Sequence, residues 1–128
     1  MNTLIVTIIT IMCISAFAQN GKIVNNAPDN YLNALKSSNE GVMESAIFLS
    51  LKYHLFYPDN DIGKLRREIE KISKNSNTDR VRYKAYLANK VFESPDFKST
   101  IEKDDYKDAN QFFTMVSKEL MEYRLTSQ

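Results

Sequence analysis

Apolar residues recur along most of this chain at intervals of three and four residues, which is the period of an α-helix. No segment alternates apolar and polar residues convincingly enough to predict a strand. We therefore predict an all-α protein. The five predicted helices cover Pro28 to about Lys36, Glu40 to about Phe56, about Ile62 to Ile72, Asp79 to Phe92, and about Asp105 to Leu125.

Capping residues and prolines support these boundaries. Pro28 suits a first helical turn, because the N–H that proline lacks would have no partner there. Asn39 is a suitable N-cap for the second helix, and Pro58 ends that helix.

The apolar spacing also predicts which residues face inward. These are Tyr31, Leu32 and Leu35 in the first helix, Ile62, Leu65, Ile69 and Ile72 in the third, and Tyr106, Ala109, Phe113, Val116, Leu120 and Tyr123 in the last.

An internal repeat links the second and fourth helices. Their apolar residues share the offsets i, i+4, i+7 and i+11, and the two helices are 39 residues apart. A shorter apolar pair precedes each helix at the same spacing, first Leu32 and Leu35, then Ile69 and Ile72. The matching positions are Val42, Ala46, Leu49 and Tyr53 in the second helix, and Val81, Ala85, Ala88 and Phe92 in the fourth. We expect both sets to pack inside the bundle. Because apolar residues occupy most of the circumference of the second helix, we expect it to be the central, most buried helix.

At these residues the chain resembles the HEAT and armadillo-like helical repeats. Asp79 precedes Val81-Arg82-Tyr83-Lys84-Ala85, which matches the Val-Arg-x-x-Ala pattern that opens the second helix of such a repeat. The first unit, Val42-Met43-Glu44-Ser45-Ala46, has Met43 in place of the arginine. The resemblance covers roughly residues 28–93. It implies two antiparallel helix pairs in a HEAT-like superhelix, closed by a long C-terminal capping helix, and a role as a platform for partners.

The stretch "DRVRYKAYLANKVF" carries four basic residues, but they do not form one stripe. At about 100° per residue they scatter around the helix, whereas nucleic-acid binding requires aligned cations. Opposite the apolar seam lie Arg82, Tyr83, Tyr86 and Lys90, which we interpret as a protein-binding face because Tyr and Arg are enriched at interface hot spots. The alternative is a solvated face with two tyrosines lying along it.

The N-terminal segment "MNTLIVTIITIMCISAFA" has no charged side chain and closes with the small-x-small pattern Ala16-Phe17-Ala18. This pattern predicts a secretory signal peptide over residues 1–18, cleaved after Ala18, although the usual basic residue is missing. An uncleaved anchor is the main alternative. Residues 19–27 are predicted to be a flexible leader, and residues 28–128 a single helical-repeat domain. We expect a periplasmic or secreted protein with no membrane insertion after cleavage.

Composition excludes several kinds of site in the mature chain. Its formal charge, 17 basic minus 16 acidic residues, is +1, which favours neither nucleic acid nor a membrane surface. The only cysteine, Cys13, lies in the predicted signal peptide, so we expect no disulfide, thiol nucleophile or Cys-ligated metal.

Catalytic and metal-binding patterns are weak. His54 is the only histidine, and we interpret it as structural. Asp59, Asp61 and Glu70 imitate a calcium loop, but the glycine falls one position early, so helix capping explains them better. We therefore expect no enzyme, no metal and no cofactor.

The sequence favours an exported scaffold that binds another protein, with possible self-association through the C-terminal helix. The alternative is a binder of small molecules or glycans that uses Tyr53, Tyr57 and Tyr86 as stacking platforms in a cleft.

Overall fold

The computed structural model describes residues 23–94 and 108–126, which form five helices and, within those ranges, no strand. The protein is therefore all-α, as the periodicity predicts. The helices are α1 (23–35), α2 (Glu40–Phe56), α3 (Gly63–Asn75), α4 (Asp79–Glu93) and α5 (Ala109–Thr126). The predicted signal peptide, Tyr106 and the start that we predicted for the last helix lie outside the described residues.

The chain divides into two units between Asn30 and Tyr31. In the first unit, the described residues 23–30 are helical, so helix is present within the segment that we assigned to a leader. Pro28 accordingly lies inside α1 and not in its first turn. A proline is compatible with a first turn but does not define one, because the flanking residues decide where the helix begins. All the contacts described below are within the second unit.

Local capping chemistry sets the helix boundaries. The Asn39 side chain accepts a hydrogen bond of 3.1 Å from the backbone N–H of Val42, which confirms the predicted N-cap of α2. Asp61 accepts a 2.8 Å bond from the N–H of Gly63 at the start of α3. Asp108 accepts hydrogen bonds from the N–H groups of Asn110 and Gln111 at the start of α5. Helix α5 therefore begins at Ala109, four residues after Asp105, the predicted start.

The core is centred on α4, which packs against α2, α3 and α5. All four predicted inward residues of α3 are buried, and so is the whole seam of α4. Helix α5 adds Phe112, Phe113 and Val116, and its last residues, 121–126, are exposed. The buried seam residues of α3 and α4 are Ile62, Leu65, Ile69, Ile72, Val81, Ala85, Ala88 and Phe92.

The prediction that α2 buries the equivalent seam is only half right. Ala46 and Tyr53 are buried, but Val42 is 43% exposed and Leu49 also faces solvent. Helix α2 instead buries Ile47, Ser50 and Leu51, on the sides that face its neighbours. The expectation that α2 is the most buried helix is therefore wrong. Among the described helices that position belongs to α4, which packs against three others. Tyr123 is likewise exposed where the stripe of α5 predicted burial.

Candidate functional site

Helix α5 lies beside the face that we predicted to bind a partner. The hydroxyl groups of Tyr83 and Ser117 are 2.7 Å apart, and Arg124 donates a 3.1 Å hydrogen bond to the hydroxyl of Tyr86. Both tyrosines stay accessible, and Tyr83 is 50% exposed. The predicted tyrosines are thus one wall of a surface whose other wall belongs to α5.

Arg82, the third predicted residue, binds its own turn. Its guanidinium donates a 2.8 Å hydrogen bond to the carbonyl of Ser76 and forms an ion pair with Asp79. These contacts join the end of α3 to the start of α4. The structure therefore gives Arg82 a role in holding the α3–α4 turn.

Lys90, the fourth predicted residue, lies along α4 beyond Tyr86. Its Nζ donates a 2.9 Å hydrogen bond to Glu93 and lies 5.6 Å from the centre of the Tyr86 ring. The hydrogen bond to Glu93 raises the pKa of Lys90, so this side chain stays protonated at neutral pH. Lys90 therefore provides a fixed positive charge next to Tyr86.

A groove of about 420 Å³ runs between α4 and α5. The buried ring of Phe113 forms part of its lining, while Tyr83 and Met121, which is 64% exposed, stand at its walls. Aromatic and methionine side chains in a concave surface are typical of sites that bind another protein. The lining residues are Arg80, Tyr83, Lys84, Asn110, Phe113, Thr114, Ser117, Lys118 and Met121.

A polar network behind the groove connects three helices. The carboxylate of Glu44 on α2 accepts hydrogen bonds from Arg80 Nε at 2.5 Å and from Lys84 Nζ at 2.6 Å. Lys84 also donates a 3.2 Å bond to Asn110 on α5, and its Nζ lies 5.6 Å from the centre of the Phe113 ring. The network therefore fixes the position of α4 relative to both neighbouring helices.

Within this network, the pair formed by Glu44 and Lys84 is largely shielded from water. The side chains of Glu44 and Lys84 are only 14% and 11% exposed. Burial alone would raise the pKa of Glu44, but the hydrogen bonds from Lys84 and Arg80 lower it below its ordinary value. Glu44 is therefore ionised at neutral pH and balances part of the positive charge of the groove.

Sequence reasoning missed Glu44 and the groove residues of α5. One signal was available, because Glu40 and Glu44 are spaced i, i+4 on α2 and Arg80 and Lys84 have the same spacing on α4. Two such pairs of opposite charge on helices that repeat at one period predict a ladder between them. No comparable signal shows that α5 approaches Tyr83, since that contact spans 34 residues of sequence.

The alternative interpretation, a ligand-binding cleft, requires Tyr53, Tyr57 and Tyr86 to lie together. Tyr53 and Tyr57 lie in one cluster, and Tyr86 has other contacts. Tyr53 packs against Tyr31 and Tyr57, with ring centres 6.2 Å and 5.2 Å away, and its hydroxyl accepts a 2.6 Å bond from Asn60. Tyr53 is buried, so its ring faces are already covered by protein. Tyr86 instead contacts Lys90 and Arg124.

His54 and the candidate calcium loop have structural contacts. The His54 ring meets Phe92 edge-on at a centre-to-centre distance of 5.3 Å, and Asp61 accepts a hydrogen bond from the N–H of Gly63, the first residue of α3. Across residues 23–94 and 108–126, no three His, Cys, Asp or Glu side chains come together as metal ligands. Within the same ranges, none of the helices combines the length and apolar character needed to span a membrane.

Comparison of the chain with models of protein families, with curated protein sequences and with solved structures finds no match in any of the three. The feature of this protein that bears most directly on function is therefore the α4–α5 groove.

Proposed function

We propose that this protein is an exported, non-catalytic helical-repeat scaffold of HEAT-like arrangement that binds another protein through the α4–α5 groove. The observation that carries the proposal is the combination in that groove of a buried aromatic ring, Phe113, with accessible Tyr83 and Met121 on its walls. A hot-spot side chain of a partner can be buried against large apolar side chains at an accessible concave surface.

The walls of the groove are held in place before any partner arrives. The contact between Tyr83 and Ser117 and the hydrogen bond from Lys84 to Asn110 tie α5 to α4, and α4 itself packs on three helices. A preorganised surface loses little conformational freedom on binding, which favours affinity. Tyr86 and Lys90 continue along α4 from Tyr83 and extend the surface.

The repeat and the leader pattern support the other parts of the proposal. Helices α3 and α4 form a packed pair with a fully buried seam, and the same apolar spacing recurs on α2. The uncharged N-terminal segment ending at Ala18 favours export to the periplasm or the exterior. A partner is therefore to be sought among envelope or secreted proteins.

Affinity capture from the envelope of the native host tests the proposal. We would compare the unmodified protein with Met121→Glu, which replaces an apolar side chain on the wall of the groove by a negatively charged one. Leu125→Glu is the matched control, because Leu125 lies one turn further along α5, is also exposed, and does not line the groove. We expect Met121→Glu to reduce partner recovery by about tenfold or more, the effect of losing a hot-spot contact, and Leu125→Glu to leave it unchanged.

Equal recovery of the same partner by both variants would show that the groove is not the binding surface. Circular dichroism of each variant separates this result from loss of fold, because both substitutions are at exposed helical positions and both should retain the helical spectrum.

A further inference from the structure

Among the residues that the structure describes, the charged residues that line the α4–α5 groove are all positive. Of the nine described lining residues, three are basic, namely Arg80, Lys84 and Lys118, and none is acidic. Another depression, of about 510 Å³ between the α1–α2 and α3–α4 turns, has two lysines and two glutamates in its lining, so its charges balance. The groove therefore favours a negatively charged partner, whereas this other concave surface favours neither charge.

Two of the three cations can reach a partner. The side chains of Arg80 and Lys118 are 66% and 74% exposed, on opposite walls of the groove. Arg80 uses Nε to bind Glu44, and its Nη2 also lies 3.9 Å from a carboxylate oxygen of Glu40. That second distance is too long for a hydrogen bond, so the terminal guanidinium N–H groups can donate to a closer carboxylate. The pair between Lys118 and Glu122 is long, at 3.9 Å, and both side chains are well exposed, so a closer carboxylate can replace it.

Lys84 fixes the charge at the bottom of the groove. Its Nζ is held between Glu44 and Asn110 and over the Phe113 ring. An apolar group that enters the groove therefore meets Phe113 and Met121, with the two outer cations on either side of it.

We infer that the partner segment recognised by this groove is acidic: an apolar side chain enters between Tyr83 and Met121, and flanking carboxylates pair with Arg80 and Lys118. The inference rests on the proposed function and adds the chemistry of the partner. A polypeptide fits better than a nucleic acid, because only two of the cations are open to solvent and they lie on opposite walls instead of along one backbone track.

Short synthetic peptides test this inference on the purified full chain. The probes have a central leucine flanked on both sides by glutamate, by glutamine or by lysine, and binding is followed by fluorescence anisotropy. Since one exposed ion pair changes affinity by about two- to five-fold, we expect the glutamate peptide to bind about tenfold more tightly than the glutamine peptide, and the lysine peptide to bind least. Raising the salt concentration should reduce the difference.

A charge reversal assigns the effect to the groove. Lys118→Glu should weaken the glutamate peptide by about five-fold or more and should narrow its advantage over the glutamine peptide. Lys74→Glu is the matched control, because Lys74 is also an exposed helical lysine paired with a glutamate at i, i+4 spacing, and it lies on α3 away from the groove. We expect it to leave peptide binding unchanged.

The outcomes that overturn the inference differ from those that overturn the proposed function. Equal binding of the glutamate and glutamine peptides, an equal effect of Lys74→Glu and Lys118→Glu, or tighter binding of an oligonucleotide of the same charge would each show that the partner is not an acidic peptide segment. The effect of Met121→Glu on partner capture decides separately whether the groove binds a protein.

Discussion

Val81 of α4 and Val42 of α2 occupy the same place in two helices with the same apolar spacing, yet Val81 is fully buried and Val42 is 43% exposed. Ala88 and Leu49 differ in the same way, with Ala88 buried and Leu49 exposed. Helix α4 is covered by α2, α3 and α5. Helix α2 has an open side on which Val42, Leu49 and Phe56, each seven residues apart, lie at nearly the same angle.

The difference shows that the spacing of apolar residues reveals a helix face but not which neighbour covers it. Ala85 and Ala88 are fully buried, and their small side chains allow another helix to approach α4 closely. The binding surface of the proposed scaffold is built on that covered helix, so it has a rigid base. The open side of α2 has no such base.

The largest expected effect comes from placing a charge at the two matched valines. Val81→Asp puts an unpaired carboxylate into the core and should lower the free energy of unfolding by about 3–5 kcal/mol. Val42→Asp, on the open side of α2, should change it by about 0.5 kcal/mol or less. Urea unfolding followed by circular dichroism measures both. Similar losses at the two positions would contradict the asymmetry.

Changing the side-chain size at the other matched pair, Ala88 and Leu49, should have a smaller effect on the free energy of unfolding. Ala88→Leu overfills the buried seam and should cost about 1–3 kcal/mol, because neighbouring helices must move apart. Leu49→Ala removes a side chain that is already partly in water and should cost less than about 1 kcal/mol. A larger loss for Leu49→Ala than for Ala88→Leu in the same unfolding experiment would contradict the exposure of Leu49 on α2.

Removing the charge of Glu44 should cost about 1.5 kcal/mol, the lower end for hydrogen bonds between charged groups, because Lys84 and Arg80 lose their carboxylate. Glu70→Gln breaks an ion pair of the same length, 2.6 Å, with Lys74 on the surface. That pair is fully solvated, and we expect no measurable change in the free energy of unfolding. Equal effects of the two substitutions would show that the pair of Glu44 and Lys84 is not shielded from water.

The smallest expected effect is a dependence of stability on acid pH. The folded protein holds the pKa of Glu44 below its ordinary value, so the unfolded chain binds the proton more readily. The stabilisation that ionised Glu44 contributes is fully present above the ordinary pKa of a glutamate. It is lost as the pH falls through the lower pKa that Glu44 has in the folded protein. Glu44→Gln should flatten the decrease in urea midpoint on the acid side. An unchanged slope would exclude Glu44 as its source.

Much of the helical architecture could be predicted because it depends on local chemistry. Asn39 caps α2, the spacing of Ile62, Leu65, Ile69 and Ile72 defines the buried side of α3, and Asp79 opens α4. Each of these features depends on residues within a few positions of one another. Four of the five predicted helices, α2 to α5, were placed with starts and ends within about four residues, a normal error for boundaries.

The candidate site could be predicted only in part, because it depends on contacts between distant residues. Tyr83 and Tyr86 were identified from their position opposite the seam, but Ser117 and Arg124 reach them across more than thirty residues of sequence. The binding of Arg82 to its own turn was missed, because the charge and position of Arg82 on the helix suggested an open surface. The sequence alone does not show how far α4 lies from α5. The groove depends on that distance, so it could not be predicted.

Photocrosslinking in the native host tests most directly whether the α4–α5 groove is the binding surface. A photoreactive residue would replace Thr114 in the groove or Ser45 on the open side of α2. Both are exposed helical hydroxyl residues that donate a hydrogen bond to the carbonyl four residues earlier, at 2.9 Å and 2.8 Å. We predict a specific protein adduct from position 114 and none from position 45. Adducts from position 45 alone would place the partner on α2 and contradict the account.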